Sequence, residues 1–208
     1  MKVLMINGSP KSGGCTATAL AEIAGTLDQE GIDSEIVNLG TAPVRDCIGC
    51  KKCRSLDNRC VFDDDIVNEI IAKAAGSDGF IFGTPVYYAH PSGRILSVLD
   101  RVFYAGSAVF AHKPGAAVAS ARRAGTTASV DVLNKYFTIA KMPVVSSTYW
   151  NMVHGNTPDE VKRDLEGLQT MRNLALNMAW LLKCIEAGRE KGIAVPENLK
   201  KDQTNFIR

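Results

Sequence analysis

KVLMINGSPKSGGCTATALAEIAGTL, residues 2–27, shows the local pattern from which the fold class follows. Residues 2–7 form an apolar run that predicts a buried strand, and the apolar positions of residues 16–27 recur at helical spacing. The glycine- and serine-rich segment GSPKSGG lies between them and predicts a tight loop. This stretch therefore predicts a strand, a loop and a helix, which is the repeating unit of an α/β protein.

The rest of the chain continues to alternate between strand and helix patterns. Strands that alternate with helices pair in parallel and are joined by right-handed crossovers. The order therefore predicts a five-stranded parallel sheet with helices on both faces. The other predicted strands cover residues 34–39, 79–84, 115–120 and 142–147, and the predicted helices open at residues 63–65 and cover residues 92–104 and 127–137.

A long helical pattern follows the last predicted strand. Residues 157–160 form a capping box with Pro158 at the first helical position, and no helix breaker follows until Gly188. At 1.5 Å per residue this helix is about 45 Å long, which exceeds what one small sheet can cover. We therefore expect residues 156–208 to belong to the same domain as residues 1–155 and to pack partly on another subunit, in a homodimer or homotetramer.

Composition and charge restrict the function classes. The chain has 208 residues, of which 46% are hydrophobic, so it can form one domain with a sizeable core. Its net charge is only +2, which gives no field that favours nucleic acid or an anionic membrane. The apolar start of the chain is much shorter than a membrane span of roughly 20 residues. We expect a cytoplasmic protein that acts on small molecules, and in that compartment clustered thiols stay reduced.

Three loops are predicted to meet at the carboxyl edge of the sheet, where open parallel sheets bind ligands. Residues 8–15 bring backbone amides, hydroxyls and Lys11 to a helix start, which suits a phosphate, although a simple helix cap is the alternative. Residues 84–93 carry two tyrosines that suit a planar ring, and residues 120–127 are polar and basic. This set favours FMN over a dinucleotide, because no acidic residue closely follows the second strand to hold an adenosine ribose.

Three motifs together resemble the iron-sulfur flavoprotein branch of the NADPH-dependent FMN reductase family. They are GSPKSGGCT at residues 8–16, PVYYAHPSG at residues 85–93 with the LDR that follows, and C-x2-C-x2-C-x6-C at residues 47–60. The resemblance implies that residues 1–155, including the cysteine loop, form a flavodoxin-like three-layer sandwich that binds FMN. It also implies a flavoprotein oxidoreductase in which the flavin carries the chemistry, so no catalytic side chain is expected.

The resemblance also implies which residues hold FMN. The sequence has Cys15-Thr16 where relatives often have Asn-Thr, so a backbone amide would replace one side-chain contact to the phosphate. Arg122 and Arg123 stand where many flavin reductases have small residues, and they would hold the polar edge of the flavin or a cosubstrate phosphate, or simply be exposed. The implied FMN-binding residues are Ser9, Lys11, Ser12, Cys15 and Thr16 at the phosphate, Pro85, Val86, Tyr87 and Tyr88 along the ring, and Ser120, Arg122, Arg123 and Gly125 at its far side.

Four of the six cysteines lie in CIGCKKCRSLDNRC, residues 47–60, whereas Cys184 lies in the long helical pattern and is predicted to be buried. Structural zinc usually takes two C-x2-C pairs that are far apart, whereas this run is similar to ferredoxin cysteine runs. In the resembling proteins the motif holds a 4Fe-4S cluster. A zinc site and free thiols remain alternatives. The implied cluster ligands are Cys47, Cys50, Cys53 and Cys60.

These features predict an FMN-dependent oxidoreductase. The flavin would convert between the hydride of NAD(P)H and the single electrons of a cluster. The expected electron donor is NAD(P)H or a ferredoxin-like protein, and the expected acceptor is a small-molecule redox substrate. Two alternatives are a cluster-free NAD(P)H-dependent reductase of flavins, quinones or nitroaromatics, and a non-enzymatic flavodoxin-like electron carrier.

Overall fold

A parallel sheet lies at the centre of the fold. The computed structural model describes residues 1–199, 202, 204 and 205, and within this part of the chain strands and helices alternate as predicted. The strands are β1 (Lys2–Asn7), β2 (Asp33–Asn38), β3 (Gly79–Tyr87), β4 (His90–Pro91), β5 (Gly115–Ala121) and β6 (Met152–His154), and the α-helices are α1 (Cys15–Gln29), α2 (Val67–Ala75), α3 (Gly93–Gly106), α4 (Thr126–Ile139), α5 (Pro158–Val161) and α6 (Leu165–Glu190).

Five of these strands pair in parallel in the order β2-β1-β3-β5-β6, and the short β4 pairs antiparallel with the end of β3. This is the strand order of flavodoxin-like sheets, so the predicted fold class is confirmed. The last strand lies later in the chain than predicted. Within residues 142–147, only Val144 forms a bridge, to Gly115, because Pro143 has no N–H to donate and the chain then leaves the sheet until Met152.

The strand β1 shows why helices cover both faces of the sheet. Leu4 and Ile6 join the apolar core that α2, α3 and α4 share with one face, and Val3 and Met5 join the core beneath α1 and α6. All four side chains are fully buried. Because alternate side chains of a strand point to opposite faces, a strand that is apolar on both faces requires an apolar helix layer on each side.

The C-terminal helical region is interrupted, which corrects the prediction of one continuous helix. Thr157 caps α5 as predicted, but α5 ends at Val161. The helix α6 begins after Asp164, whose carboxylate accepts hydrogen bonds from the backbone N–H groups of Gly167 (2.9 Å) and His154 (2.6 Å). Cys184 is exposed on α6, so its predicted burial was wrong.

The predicted oligomer interface extends beyond what the structure describes. Its residues 200, 201, 203 and 206–208 lie outside the described residues. The α6 helix itself has 26 residues, which corresponds to a length of about 39 Å. Within the described part of the chain, none of the helices combines the length and the apolar character that a membrane span needs.

We expect Phe82→Ala to lower the free energy of unfolding by about 3–5 kcal/mol, because the truncation leaves a cavity in the core. Phe82 is fully buried in β3 and stacks on Phe137, with ring centroids 4.9 Å apart. Urea denaturation followed by circular dichroism measures the change. Ile139→Ala is the matched control, because Ile139 is 83% exposed at the end of α4 and its truncation should cost less than about 0.5 kcal/mol. Equal stability of the two variants would contradict the placement of Phe82.

Candidate functional site

The loop between β1 and α1 presents a helix start at the carboxyl edge of the sheet. Gly14 is the N-cap of α1, its backbone is extended, and no side chain of the described residues caps it. The first N–H groups of α1 therefore point outward with the positive end of the helix dipole. Lys11 and Ser12 are exposed beside them. This arrangement suits an anionic group such as a phosphate.

Other polar groups of this loop are used to shape it. The Ser9 hydroxyl accepts a hydrogen bond from the backbone N–H of Lys11 (3.1 Å), and the backbone N–H of Ser9 donates to the Asn7 side chain (3.0 Å). The Cys15 thiol donates to the carbonyl of Gly155 (3.6 Å), and burial raises the pKa of this thiol, so it stays protonated at neutral pH. The Ser9 backbone N–H is therefore already used, and Ser9 can offer an anion the hydrogen of its hydroxyl, whereas Cys15 offers its backbone N–H rather than a charged side chain.

The loop between β3 and β4 contacts the first loop directly. The Ser92 hydroxyl donates to the carbonyl of Gly8 (2.9 Å), and the backbone N–H of Ser92 donates to the Thr84 hydroxyl (3.0 Å). At the tip, Tyr88 and Ala89 both have positive φ angles, of 52° and 58°, which few residues other than glycine adopt. This strained turn leaves the rings of Tyr87 and Tyr88 exposed, with Pro85 and Val86 half-buried behind them.

The loop between β5 and α4 completes the set. The Ser120 hydroxyl is 2.8 Å from the hydroxyl of Thr16, and both side chains are buried. Gly125 has a φ angle of 96°, and a Cβ atom there would lie 2.4 Å from Cα of Ala89, so only glycine lets this loop approach the β3–β4 loop. The structure thus brings all three predicted loops together, with Arg122 and Arg123 exposed on the third.

The four loop cysteines line one cavity. Cys47, Cys50, Cys53 and Cys60 surround it together with the side chains of Arg101 and Tyr104. Two of the thiols have protein partners: Cys53 donates to the carbonyl of Tyr104 (3.5 Å), and the Cys60 sulfur accepts from Nε of Arg101 (3.4 Å). In this arrangement no three metal-ligating side chains of the described residues form a group close enough to hold a metal ion.

The donor set nevertheless fits an iron-sulfur cluster in its chemistry. Thiolates are the ligands that such clusters take, and the four cysteines face one cavity whose other lining is largely apolar. Glycine and a left-handed residue make the loop turn tightly around it, since Gly49 and Lys51 have φ angles of 64° and 58°. Closing the cage requires the Cys53 thiol to turn away from the carbonyl of Tyr104, whereas the Cys60 sulfur already lies at the cavity.

A buried ion pair beneath the cysteine loop was missed from the sequence. The guanidinium of Arg101, in α3, pairs with the carboxylate of Asp65, and their side chains are 1% and 5% exposed. Burial works against the charge of Arg101, but its hydrogen bonds with Asp65 and Cys60 raise its pKa above the usual value. The sequence predicts for Asp65 only a place in the acidic triplet, residues 63–65, where a helix opens. The LDR segment contained the one local signal, an arginine within an apolar helical pattern.

Comparison with known proteins agrees with this geometry. Residues 1–157 match the family model described as NADPH-dependent FMN reductase. An iron-sulfur flavoprotein of Methanocaldococcus jannaschii is 33% identical over 195 residues, which cover 89% of this chain and 100% of that protein. A second iron-sulfur flavoprotein of the same organism is 27% identical over 186 residues, which cover 83% of this chain and 92% of that protein.

The fold is also similar to that of solved structures. An archaeal flavodoxin superimposes with a TM-score of 0.60 at 12% identity, covering 88% of this chain and 99% of that one, and at this identity the match shows the fold alone. The family match covers the β1, β3 and β5 loops that meet at the carboxyl edge of the sheet. The chain therefore belongs to the NADPH-dependent FMN reductase family and is a flavin-dependent oxidoreductase with a flavodoxin-like fold.

Proposed function

We propose that this chain binds FMN where residues 8–16, 85–88 and 120–125 meet, and that it uses the flavin for electron transfer. The observation that carries the proposal is the set of contacts that ties these loops together, from Ser92 to Gly8 and from Thr16 to Ser120. When bound, FMN accepts hydride from nicotinamides and also exchanges single electrons. The protein's part is to bind and orient the flavin, so we assign no catalytic side chain.

The first loop is proposed to bind the phosphate. The N–H groups at the start of α1, including those of Cys15 and Thr16, would donate to its oxygens, and Lys11 and Ser12 are exposed close by. Ser9 supports the loop from beneath through the hydrogen bond that its hydroxyl accepts. An anion at this position gains from both the backbone donors and the helix dipole.

The other two loops are proposed to hold the isoalloxazine ring. The exposed faces of Tyr87 and Tyr88, above Pro85 and Val86, provide aromatic and apolar contact area. The third loop carries polar groups and exposed guanidinium groups, which can donate to the ring's carbonyl oxygens or to a cosubstrate phosphate. The residues proposed on that side are Ser120, Arg122, Arg123 and Gly125.

We further propose that Cys47, Cys50, Cys53 and Cys60 bind a 4Fe-4S cluster, which would pass single electrons to or from the flavin. The shared cavity of the four thiols supports this, as do the names of the two archaeal relatives. A cytoplasmic location would keep the thiols reduced. The electron donor is then NAD(P)H or a ferredoxin-like protein, and the acceptor a small redox molecule.

An oligomer is the remaining part of the proposal. The helix α6 buries one face against the sheet, through residues such as Met171 and Met178. Its other face exposes the apolar side chains of Leu176 and Trp180, one turn apart. These exposed apolar side chains support an interface of residues 156–208 with a second subunit, in a dimer or tetramer of one-domain chains.

We expect Ser12→Asp to weaken FMN binding by at least about tenfold, because the new carboxylate repels a phosphate at the start of α1. Titration of the apoprotein with FMN, followed by quenching of flavin fluorescence, gives the Kd. Binding of riboflavin, which has no phosphate, should change much less. Ser107→Asp adds the same charge at an exposed serine after α3 and should leave the Kd for FMN unchanged. Wild-type FMN affinity in Ser12→Asp would refute the phosphate assignment.

We expect Cys50→Ser, isolated without oxygen, to lose iron and sulfide while it retains FMN, because one of four cluster ligands is removed. Wild-type protein should contain about four irons per chain. Cys184→Ser replaces an exposed cysteine on α6 and should keep both the iron and the flavin. Iron content is measured by colorimetric assay and the flavin by its visible spectrum.

The same preparation separates the alternatives. Iron-free wild-type protein that rapidly oxidises NADPH would identify a cluster-free reductase of flavins, quinones or nitroaromatics. Flavin that cycles reversibly with dithionite, but that neither a nicotinamide nor reduced ferredoxin can bleach, would identify an electron carrier. Unchanged iron content in Cys50→Ser would refute the cluster ligands that we assign.

A further inference from the structure

Arg101 is a charged side chain buried beneath the cysteine loop. It lies in α3, the helix Gly93–Gly106, and only 1% of its side chain is exposed. A buried charge is costly unless it is paired, and Asp65 supplies the pairing carboxylate. Because the pair is enclosed, its fields are screened less by water and salt than those of a surface pair.

The guanidinium is fixed in one orientation. Nη1 donates to the carboxylate of Asp65 and to the carbonyl of Arg45 (3.2 Å), and Nη2 donates to the carbonyl of Phe62 (3.3 Å). The donors of a guanidinium form a rigid planar fork, so holding two of its nitrogens also fixes the third. The remaining donor, Nε, points at the sulfur of Cys60 from 3.4 Å.

Cys60 is the most enclosed of the four cysteines in the cavity, since it is buried whereas Cys50 is exposed. Its backbone is held as well, because the N–H of Cys60 donates to the Asn68 side chain (2.8 Å) and its carbonyl accepts from the same amide (3.1 Å). Both the backbone and the sulfur of Cys60 are therefore fixed by residues outside the cysteine motif.

We propose that Arg101 is a positioning residue for the cluster: it holds the Cys60 sulfur at the cavity and, through Nε–H, raises the reduction potential of the cluster. The inference rests on the proposed 4Fe-4S site. Hydrogen bonds to ligand sulfur and nearby positive charge favour the more negative, reduced state of a cluster. The exposed cations of the loop contribute less, because solvent screens them.

The test combines two variants and a control. The double substitution Arg101→Met with Asp65→Leu removes both members of the ion pair, so neither charge is left buried without its partner. The single substitution Arg101→Lys keeps a positive charge but replaces the fork, so it removes the fixed Nε donor. Arg59→Gln is the matched control, because Arg59 also lies beside Cys60 but is 53% exposed in a surface pair with Asp63.

Each protein is isolated without oxygen, assayed for iron and FMN, and titrated electrochemically. The signal of the reduced cluster is followed by electron paramagnetic resonance, and that of the flavin by absorbance. We expect the midpoint potential of the cluster to become more negative in the double variant and, by a smaller amount, in Arg101→Lys. The flavin potential should stay constant in every variant, and Arg59→Gln should leave the cluster potential unchanged.

The outcomes test the role of Arg101 separately from the proposed cluster. Loss of iron from the double variant with FMN and melting temperature retained would also support positioning of Cys60. If the double variant does not fold, the potential of Arg101→Lys decides. A wild-type cluster potential in an iron-loaded variant without the arginine would overturn this inference alone. Wild-type protein that takes up no iron would overturn the proposed cluster, and this inference with it.

Discussion

The hydrogen bond from the N–H of Gly8 to the carbonyl of Gly83, 2.8 Å long, is the contact on which the site depends. It continues the ladder between β1 and β3 beyond the end of β1 and so fixes where the first loop leaves the sheet. A side chain at Gly8 would not fit, because its Cβ would lie 2.9 Å from both that carbonyl oxygen and Ile95. The same residue accepts the bond from Ser92 that anchors α3.

Helix α3 then connects the flavin edge with the cysteine loop. Ser92 caps its first turn at the carboxyl edge of the sheet, and Arg94 donates to the carbonyls of Thr41 and Ala42 in the chain that follows β2. Two turns later, Arg101 reaches Asp65 and Cys60. One helix thus positions both proposed redox centres, and its buried face packs in the same core as β1 and β3. A rigid shared element keeps the relative placement of the two sites constant.

The sheet, its helix layers and the meeting of three loops could be predicted from the sequence because each follows from local periodicity and from the rule that parallel strands end at one edge. What was missed depends on contacts between distant residues. Asp65 and Arg101 are far apart in the chain, and Asp164 caps the start of α6 with a carboxylate that also binds the backbone of β6. The exposure of Cys184 likewise depends on which face of α6 meets the sheet.

We expect one phosphate and one flavin ring to occupy the junction of these loops. A crystal structure of the protein with FMN tests this most directly. We predict phosphate oxygens on the N–H groups at the start of α1 and an isoalloxazine ring between residues 85–88 and 120–125. A flavin bound elsewhere on the chain, or crystals grown with excess FMN that show an unaltered empty junction, would contradict the claim.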